Sequence, residues 1–378
     1  MTTPASRMEK IAIISVFFAL LLLPIIQMVT RFPTVSLLDE NRNRERTPRL
    51  GEILSPVAFV SQAQKWFADH YGYRDWLIRA KTQIDYSVFG VSDKVYIGKE
   101  GWLYLRNIID SEIPAEDEMS DADLTAVAKR FAELRDVLQE RGISLVVVTN
   151  QLKDKFYPEF LPYAARRIMS HRRFDDFRAE LHAMPGIVYI DTTEILESLK
   201  SERQVFHKTD LHWNDPAAAE VARTLVNEIA EAEHRNVPFW RYPLKIKIEK
   251  MSGGEATFMP LFYPPNEQAL FVAEKFPAPP YTYEVAKDPF EYIARFVNDQ
   301  GLLPPTVLCG DSFSDGMVRA GLLDHFQVLY RTKSPPQDLI SKLPVGVKYF
   351  IYQFIEVRLP RGLVTELGIA RHDTTGKP

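Results

Sequence analysis

The stretch TVLCGDSFS, residues 306–314, predicts a strand, a tight turn and a following helix. Its first four residues are apolar or β-branched and suit a short buried strand. Gly310 permits the tight turn that places Ser312 at the carboxyl end of that strand, and residues 317–325 suit a helix. A serine between a strand and a helix lies where backbone N–H groups converge and can hold an oxyanion. An ordinary turn with a capping Asp311 or Ser312 explains the same residues.

The stretch TDLHWN, residues 209–214, supplies the groups that such a serine needs. A serine hydroxyl is a weak nucleophile unless an imidazole takes its proton and a carboxylate orients that imidazole. Asp210 and His212 are two residues apart, which favours an extended or irregular segment in which both side chains point the same way. Trp213 adds a large apolar ring beside the imidazole. The same stretch also suits the N-cap of a helix over residues 217–232, and both interpretations hold if the cap fixes the loop.

Strand-like and helix-like segments alternate along most of the chain. Helices are predicted at residues 57–86 and 121–141 and in a segment ending at residue 200, strands at 144–149, 186–190 and 347–354, and a hairpin at 95–105. This alternation predicts an α/β protein built as a three-layer α/β/α sandwich with a mainly parallel sheet. Loops at the carboxyl ends of the strands would then hold the site.

The N-terminal region predicts a membrane anchor. Residues 11–29 carry no charge, and 19 such residues can span the hydrocarbon core of a bilayer. A signal peptide would have a shorter apolar region and a small-residue cleavage site, which residues 27–31 do not offer. We therefore expect residues 1–30 to form an uncleaved transmembrane helix and the polar, arginine-rich residues 31–55 to form a linker. Basic residues flank the span on both sides, so they do not choose its orientation.

Composition excludes some functions. With 378 residues, 46% of them hydrophobic, the chain can bury a full core. A net charge of −4 and no basic stripe with interleaved aromatics argue against nucleic-acid binding. The single cysteine, Cys309, suits a buried position in its strand and leaves no thiol to mispair in an oxidising compartment.

Two groups of side chains could contact a carbohydrate. A basic cluster would attract an anionic polymer, although a solvated helix face is the other interpretation. The members of this cluster are Arg166, Arg167, His171, Arg172 and Arg173. Aromatic rings could stack on sugar faces, although most aromatics in a domain of this size belong to the core. These aromatic candidates are Trp102, Tyr104, Trp213, Trp240 and Tyr263.

A metal site is not expected. His182, His207, Asp210 and His212 could be considered as ligands, but they do not share a spacing that supplies three or four ligands. We therefore predict neither a metal nor a cofactor.

These motifs resemble the AlgJ/AlgX-like polysaccharide O-acetyltransferases, an alginate-type family with an SGNH-hydrolase-like domain. The matching segments are DHYGYRD at 69–75, GKEGWLY at 98–104, YPE at 157–159, LP at 161–162, DLHWN at 210–214 and GDSFS at 310–314. In the wider SGNH superfamily the serine motif comes early and the histidine motif late, whereas here the order is reversed. The resemblance implies the circularly permuted arrangement of the AlgX-like branch, in a domain over residues 56–365 with a tail at 366–378. AlgX-like proteins can carry a C-terminal carbohydrate-binding module, but the predicted strand 347–354 lies close to the end of the sequence, so we expect no such module here, as in the AlgJ-like type.

The resemblance implies roles for the motif residues. Ser312 would be the nucleophile, His212 the general base, and Asp210 the carboxylate that orients the imidazole. The backbone N–H of Ser312 is the first candidate for the oxyanion hole. Asn150, at the end of the strand 144–149, could supply a side-chain donor, although a turn-forming role is the alternative.

The resemblance also implies partners and a location. The acceptor would be an exported polysaccharide, the acetyl donor a membrane-bound acyltransferase, and the catalytic domain would lie in the periplasm, held to the inner membrane through residues 11–29. Such an anchor raises the local concentration of the donor. A periplasmic carbohydrate acetylesterase could use the same triad, and a non-catalytic export scaffold would keep the fold without needing Ser312. The identity of the polysaccharide stays open.

Overall fold

The computed structural model describes most of the chain in two compact units. The described residues are 7–34, 36–38, 43–166, 172–240, 245–273, 281–285, 288–296, 301–359 and 362–368. The first unit comprises Met1–Ser92 and Met259–Pro264, and the second comprises Asp93–Phe258 and Pro265–Pro378. The domain boundaries placed at residues 30, 55 and 365 stay predictions.

The first unit is helical. Its helices are α1 (Arg7–Thr30), α2 (Pro56–His70) and α3 (Arg74–Ile84). Within α1, the segment Met8–Thr30 is long and apolar enough to cross a membrane. The helical pattern predicted over 57–86 is confirmed, but it forms separate helices, because the chain turns between α2 and α3. Tyr73 there has a left-handed φ of 58°, and a Cβ on Gly72 would lie 1.8 Å from the carbonyl oxygen of Pro24.

The second unit is built on a seven-stranded sheet. The strands along it, from edge to edge, are β4 (Ile187–Asp191), β3 (Ser144–Asn150), β11 (Tyr349–Ile355), β9 (Thr306–Gly310), β10 (Val328–Thr332), β8 (Tyr292–Phe296) and β7 (Tyr281–Val285). The first five are parallel, and β8 and β7 extend the sheet with antiparallel pairs. The mainly parallel sheet is therefore confirmed. The strand β9 follows β3 and β4 in the chain but lies between β11 and β10, in keeping with the reversed motif order.

Helices cover both faces of this sheet. Alternate residues of β3 enter different cores, with Val146 and Val148 on one side and Leu145 and Val147 on the other. Both faces of β3 are therefore apolar, as is typical of parallel strands buried on both sides. The longest helices on the two faces are α10 (Asp215–Ala232) on the first side and α5 (Asp121–Gln139) on the second. The three-layer prediction is confirmed.

Shorter elements complete the second unit. The remaining helices are α4 (Ile113–Asp117), α6 (Lys153–Phe156), α7 (Tyr163–Arg166), α8 (Arg173–Ala183), α9 (Thr192–Lys200), α11 (Gly254–Thr257), α12 (Phe313–Arg319), α13 (Pro336–Leu339) and α14 (Leu363–Glu366). Two antiparallel pairs lie outside the main sheet: β1 (Val95–Ile97) with β2 (Leu103–Leu105), and β5 (Ile246–Met251) with β6 (Glu267–Val272). The first of these is the hairpin predicted at 95–105.

The helix after the serine motif begins earlier than predicted. A helix over 317–325 is wrong in its bounds, because α12 spans Phe313–Arg319. Gly321 follows with a φ of 111°, and the chain then forms a separate 3-10 turn at Leu322–His325. A glycine in this left-handed conformation ends a helix at little steric cost. Ser312 consequently stands directly before the first turn of α12.

Candidate active site

Ser312 lies on an exposed turn between β9 and α12. The side chain of Asp311 stabilises this turn through two hydrogen bonds. Its Oδ1 accepts from the N–H of Phe313 at 2.9 Å, and its Oδ2 accepts from the N–H of Ile355 at 3.1 Å. The N–H of Asp311 donates to Oε1 of Gln353 at 3.0 Å. Burial raises the pKa of Asp311, although these donors oppose the rise. The neighbour of Ser312 therefore anchors the turn, and the Ser312 side chain remains directed outward.

His212 joins the serine to a carboxylate. Its Nε2 lies 2.7 Å from Oγ of Ser312, and its Nδ1 lies 2.6 Å from Oδ1 of Asp210. An ionised carboxylate can only accept, so Nδ1 carries the proton and Nε2 is free to accept from the serine hydroxyl. The three residues that the two motifs singled out are thus brought together in one chain of hydrogen bonds.

Asp210 is kept ionised by its surroundings. Burial by itself would raise its pKa, but the hydrogen bond and charge of His212 and two backbone donors hold the pKa well below its usual range. These donors are the N–H of Gly254, 2.6 Å from Oδ2, and the N–H of His212, 3.0 Å from Oδ1. Gly253 allows this approach, since a Cβ there would lie 2.5 Å from Cβ of Asp210.

A buried lysine forms hydrogen bonds with the backbone of the loop that carries Asp210 and His212. Lys153, at the start of α6, donates from Nζ to the carbonyl oxygens of Asp210 at 2.9 Å and Lys208 at 3.2 Å, and it forms an ion pair with Glu255. Burial raises the pKa of Glu255 to about 7, and the charge of Lys153 opposes that rise. Sequence reasoning missed Lys153 and Glu255. A lysine three residues after the end of the strand β3 is the signal that could have found the first of them.

The same loop is held from its other side by Glu267 of β6. Its carboxylate accepts from the backbone N–H groups of Lys208 at 2.8 Å and Thr209 at 2.7 Å, and from the Thr209 hydroxyl at 2.7 Å. Charge-assisted hydrogen bonds to backbone N–H groups are stronger than neutral ones. Lys153 and Glu267 together fix the backbone from which the catalytic candidates project.

A cleft of about 300 Å³ opens over the three candidates. It borders Asp210, His212 and Ser312, and the rest of its described wall comes from His207, Trp213, Met251, Phe271, Asp315, Gly316 and Arg319. Arg319 is half exposed and donates twice to Asp215, at 3.1 and 2.9 Å. The site is thus an open cleft in which a small ligand can reach the serine.

The second unit matches a known family model. The model, "SGNH hydrolase-like domain, acetyltransferase AlgX", matches residues 95–323, more than half of the chain and the whole span from the β1–β2 hairpin to beyond Ser312. The chain belongs to this family.

Two curated relatives carry the same name. The chain is 29% identical over 210 residues to the "Probable alginate O-acetylase AlgJ" of Pseudomonas aeruginosa, covering 52% of this chain and 50% of the relative. It is 30% identical over 168 residues to the protein of that name from Pseudomonas syringae pv. tomato, covering 44% of this chain and 41% of the relative. This family member thus spans half or less of the length of these relatives. Among solved structures, the O-acetyltransferase domain of Pseudomonas putida AlgJ aligns with a TM-score of 0.44 at 18% identity, covering 71% of this chain and 92% of that one.

Trp213 borders the cleft, but its buried ring offers no exposed face for stacking. Its ring is fully buried, its Nε1 donates to the carbonyl oxygen of Phe313 at 3.1 Å, and it packs edge-on against the Phe313 ring at 5.4 Å. A role in sugar stacking is therefore wrong for this residue. Trp213 instead ties the loop of His212 to the start of α12.

Asn150 lies at the end of β3, where the sequence predicts it. It is fully buried, and its Oδ1 accepts from Nε2 of Gln353 at 3.0 Å. Because Gln353 also binds the N–H of Asp311, Asn150 is connected to the serine turn through one intervening side chain. Its Nδ2 has no hydrogen-bond partner within the described part of the chain. Its role as an oxyanion donor stays a prediction.

The basic cluster does not form one solvated surface. Arg166 donates to the carbonyl oxygen of Glu159, and Arg173 pairs with Asp121 and Asp176. Arg172 is buried and pairs with acidic side chains of the core. Arg167 and His171 lie outside the described residues. The described members of the cluster thus form hydrogen bonds or ion pairs with other residues of the protein, and none of them lines the cleft.

The other aromatic candidates divide by exposure. Trp102 and Tyr104 are buried in the core, and Trp240 stacks on His325 with ring centroids 4.3 Å apart. Tyr263 is exposed and belongs to the first unit. The core interpretation is therefore correct for Trp102 and Tyr104.

The candidate metal ligands are not collected at one point. Asp210 and His212 are already bonded to each other, to Gly254 and to Ser312. His182 instead lies near Asp191 and Glu194, in the one group of three such side chains among the described residues. Asp191 in that group accepts two hydrogen bonds from Nε of Arg178 and one from its Nη2, so its charge is already offset.

Proposed function

We propose that this chain is an O-acetyltransferase that moves an acetyl group through Ser312 to hydroxyl groups of an exported polysaccharide. The observation that carries the proposal is the pair of hydrogen bonds that runs from Asp210 through His212 to the exposed Ser312 hydroxyl. Family membership supports acyl transfer, and the names of the relatives support acetyl as the group and a polysaccharide such as alginate as the acceptor.

The proposed reaction has two stages. In the first, Oγ of Ser312 attacks the acetyl carbonyl carbon while Nε2 of His212 takes the hydroxyl proton, and the donor leaves with that proton. In the second, a sugar hydroxyl gives its proton to Nε2 and attacks the acetyl-serine. The acetyl group passes to the sugar and Ser312 recovers its proton. Asp210 stays ionised throughout and stabilises the imidazolium that forms in each stage.

The oxyanion of each stage needs hydrogen-bond donors. The N–H of Ser312 makes no hydrogen bond to any of the described residues, whereas the N–H of Phe313 is taken by Asp311. The Ser312 N–H is therefore the first candidate, and the unpartnered Nδ2 of Asn150 is the second. Losing one such donor typically lowers the rate about a hundred- to a thousandfold.

The N-terminal segment bears on where the protein acts and on how the acetyl group reaches it. The apolar segment Met8–Thr30 suits either an anchor or a signal sequence, and we infer an anchor that holds the second unit in the periplasm at the inner membrane. A membrane-bound acyltransferase would then deliver the acetyl group to Ser312 at high local concentration.

The test compares Ser312→Ala with wild type and with Ser201→Ala, a surface serine on another loop. The full-length chains, purified in detergent, are mixed with nitrophenyl acetate as donor, and the acetyl adduct is measured by intact mass spectrometry. De-acetylated alginate oligosaccharide is then added, and acetylated sugar and free acetate are quantified.

We expect the adduct and acetylated sugar in wild type and Ser201→Ala, and neither in Ser312→Ala. Free acetate that is not diverted to the sugar would instead identify an acetylesterase. A folded wild-type chain that forms no adduct would contradict the proposal and favour a scaffold.

A further inference from the structure

His207 lines the cleft but takes no part in the triad. The residue is only 4% exposed, and its buried Nδ1 has no hydrogen-bond partner among the described residues. Its backbone groups, in contrast, are both hydrogen-bonded. The N–H donates to the carbonyl oxygen of His212 at 3.2 Å, and the carbonyl oxygen accepts from Nζ of Lys153 at 3.4 Å. The fold therefore requires the position of this residue, but no polar contact within the described protein requires an imidazole.

The ring is suited to a polar but uncharged ligand. Burial lowers its pKa, with the charge of Lys153 acting in the same direction and those of Glu267, Asp210 and Asp215 against it. A neutral imidazole offers one donor and one acceptor. A sugar hydroxyl also donates and accepts, so a hydroxyl group in the cleft can pair with Nε2 whichever tautomer the ring adopts. Buried polar groups without partners are rare in proteins, which points to a ligand or ordered water at this position.

An apolar surface lies next to the imidazole. The Phe271 ring, on β6, has its centroid 5.7 Å from that of His207 and lines the same cleft. Aromatic rings bind the C–H faces of pyranoses, whereas the polar edge of such a sugar needs hydrogen bonds. His207 and Phe271 thus complement the two kinds of surface that a pyranose has, in the same cleft as the serine that would carry the acetyl group.

We propose that His207 and Phe271 form the acceptor subsite, in which Nε2 of the imidazole binds a hydroxyl group adjacent to the one that is acetylated. This inference rests on the proposed transfer reaction, because it assigns the acceptor to the part of the cleft next to Ser312. The ligand class is a pyranose with neighbouring free hydroxyls, recognised through those hydroxyls.

The kinetic test uses His207→Phe, His207→Gln and the surface control His234→Gln in the full-length chain. Transfer to de-acetylated alginate oligosaccharide is measured as a function of oligosaccharide concentration. We expect His207→Phe to raise the KM for the oligosaccharide about tenfold, with a smaller change in kcat, because the hydrogen bond to the sugar is lost. His207→Gln keeps a donor and an acceptor and should fall between wild type and His207→Phe. Loss of kcat at unchanged KM, or no change at all, would overturn the proposal.

A binding test separates this inference from the proposed function. Oligosaccharide binding is measured by calorimetry with Ser312→Ala and with Ser312→Ala combined with His207→Phe, both checked by thermal unfolding. We expect about tenfold weaker binding in the double variant. Equal binding of the oligosaccharide by the two variants, or no binding by Ser312→Ala, would refute the subsite even if transfer is observed. A wild type that forms no acetyl adduct but binds sugar through His207 would refute only the transferase.

Discussion

Asp210 shows how a single residue is prepared for its proposed role. Three hydrogen bonds reach its carboxylate, from Nδ1 and N–H of His212 and from N–H of Gly254. Two of them fix the direction of Oδ1 toward the imidazole, and the third occupies Oδ2. The carboxylate is therefore ionised and correctly aimed before any substrate binds, which is the arrangement that lowers the cost of forming an imidazolium.

Asp210→Asn should keep the size of the side chain but remove the charge. The amide favours the wrong tautomer of His212, as in other Ser-His-Asp sites, and we expect kcat to fall roughly a thousandfold or more. The measurement is nitrophenyl acetate turnover by the full-length chain, with the surface variant Asp136→Asn as control. Activity of Asp210→Asn within about tenfold of wild type would show that the carboxylate does not have this role.

At the scale of elements, the site depends on how one loop is attached to its neighbours. Lys153 follows β3, Glu255 belongs to α11 and Glu267 belongs to β6, so three elements meet on the backbone around Asp210. Lys153 and Glu255 are both buried, and breaking such a pair leaves an uncompensated charge.

Lys153→Met should therefore lower both stability and activity. We expect a loss of about 3–5 kcal/mol in the free energy of unfolding, because Glu255 stays buried without its partner. In Lys153→Met combined with Glu255→Met, stability should largely return, since no buried charge remains. Activity should stay low, because the carbonyl groups of the loop still lack their donor. Thermal unfolding and kcat are measured on both variants, and full recovery of kcat in the double variant would show that Lys153 acts on stability alone.

The sequence predicts mainly apolar strands better than strands that mix charged and apolar residues. The strands β3, β9 and β11 are mainly apolar, and each of them was predicted to within two residues. The strand β7, at the edge of the sheet, and its neighbour β8 mix charged and apolar residues, so their pattern is weak. The interruption at Gly72 depends on contact with Pro24, far away in the chain, and no local pattern shows it.

The features of the site also differ in how far the sequence predicts them. The spacing of Asp210 and His212 and the turn before Ser312 are local features, so the sequence predicts that these residues can meet. Other features depend on contacts with residues distant in sequence. They are the burial of Trp213 and Arg172 and the hydrogen bond from Lys153 to the Asp210 carbonyl. These side chains could be located only once the elements were packed.

At the scale of the second unit as a whole, a buried acidic network joins several elements. Arg172 forms ion pairs with Asp154 of α6 and with Glu356, which follows β11. The charge of Glu356 also raises the pKa of Glu116 of α4. Glu116 accepts from the N–H of Phe174 at 3.0 Å, and its Oε2 has no partner among the described residues. One arginine thus faces three buried carboxyl groups.

This imbalance makes the stability of the protein depend on pH. Burial, reinforced by the charge of Glu356, raises the pKa of Glu116 well above its ordinary value, so the folded protein keeps a proton that the unfolded chain releases. The stabilisation is complete below the ordinary pKa of glutamate and is lost as the pH rises through the raised value. We expect the free energy of unfolding to fall between about pH 5 and about pH 9, and the fall to be smaller in Glu116→Gln, which resembles the protonated acid at every pH. Urea unfolding across this range measures the slope, with the exposed Glu202→Gln as control. Equal slopes in all three chains would show that Glu116 is ionised in the folded protein, and the charge of the network would then have to be balanced elsewhere.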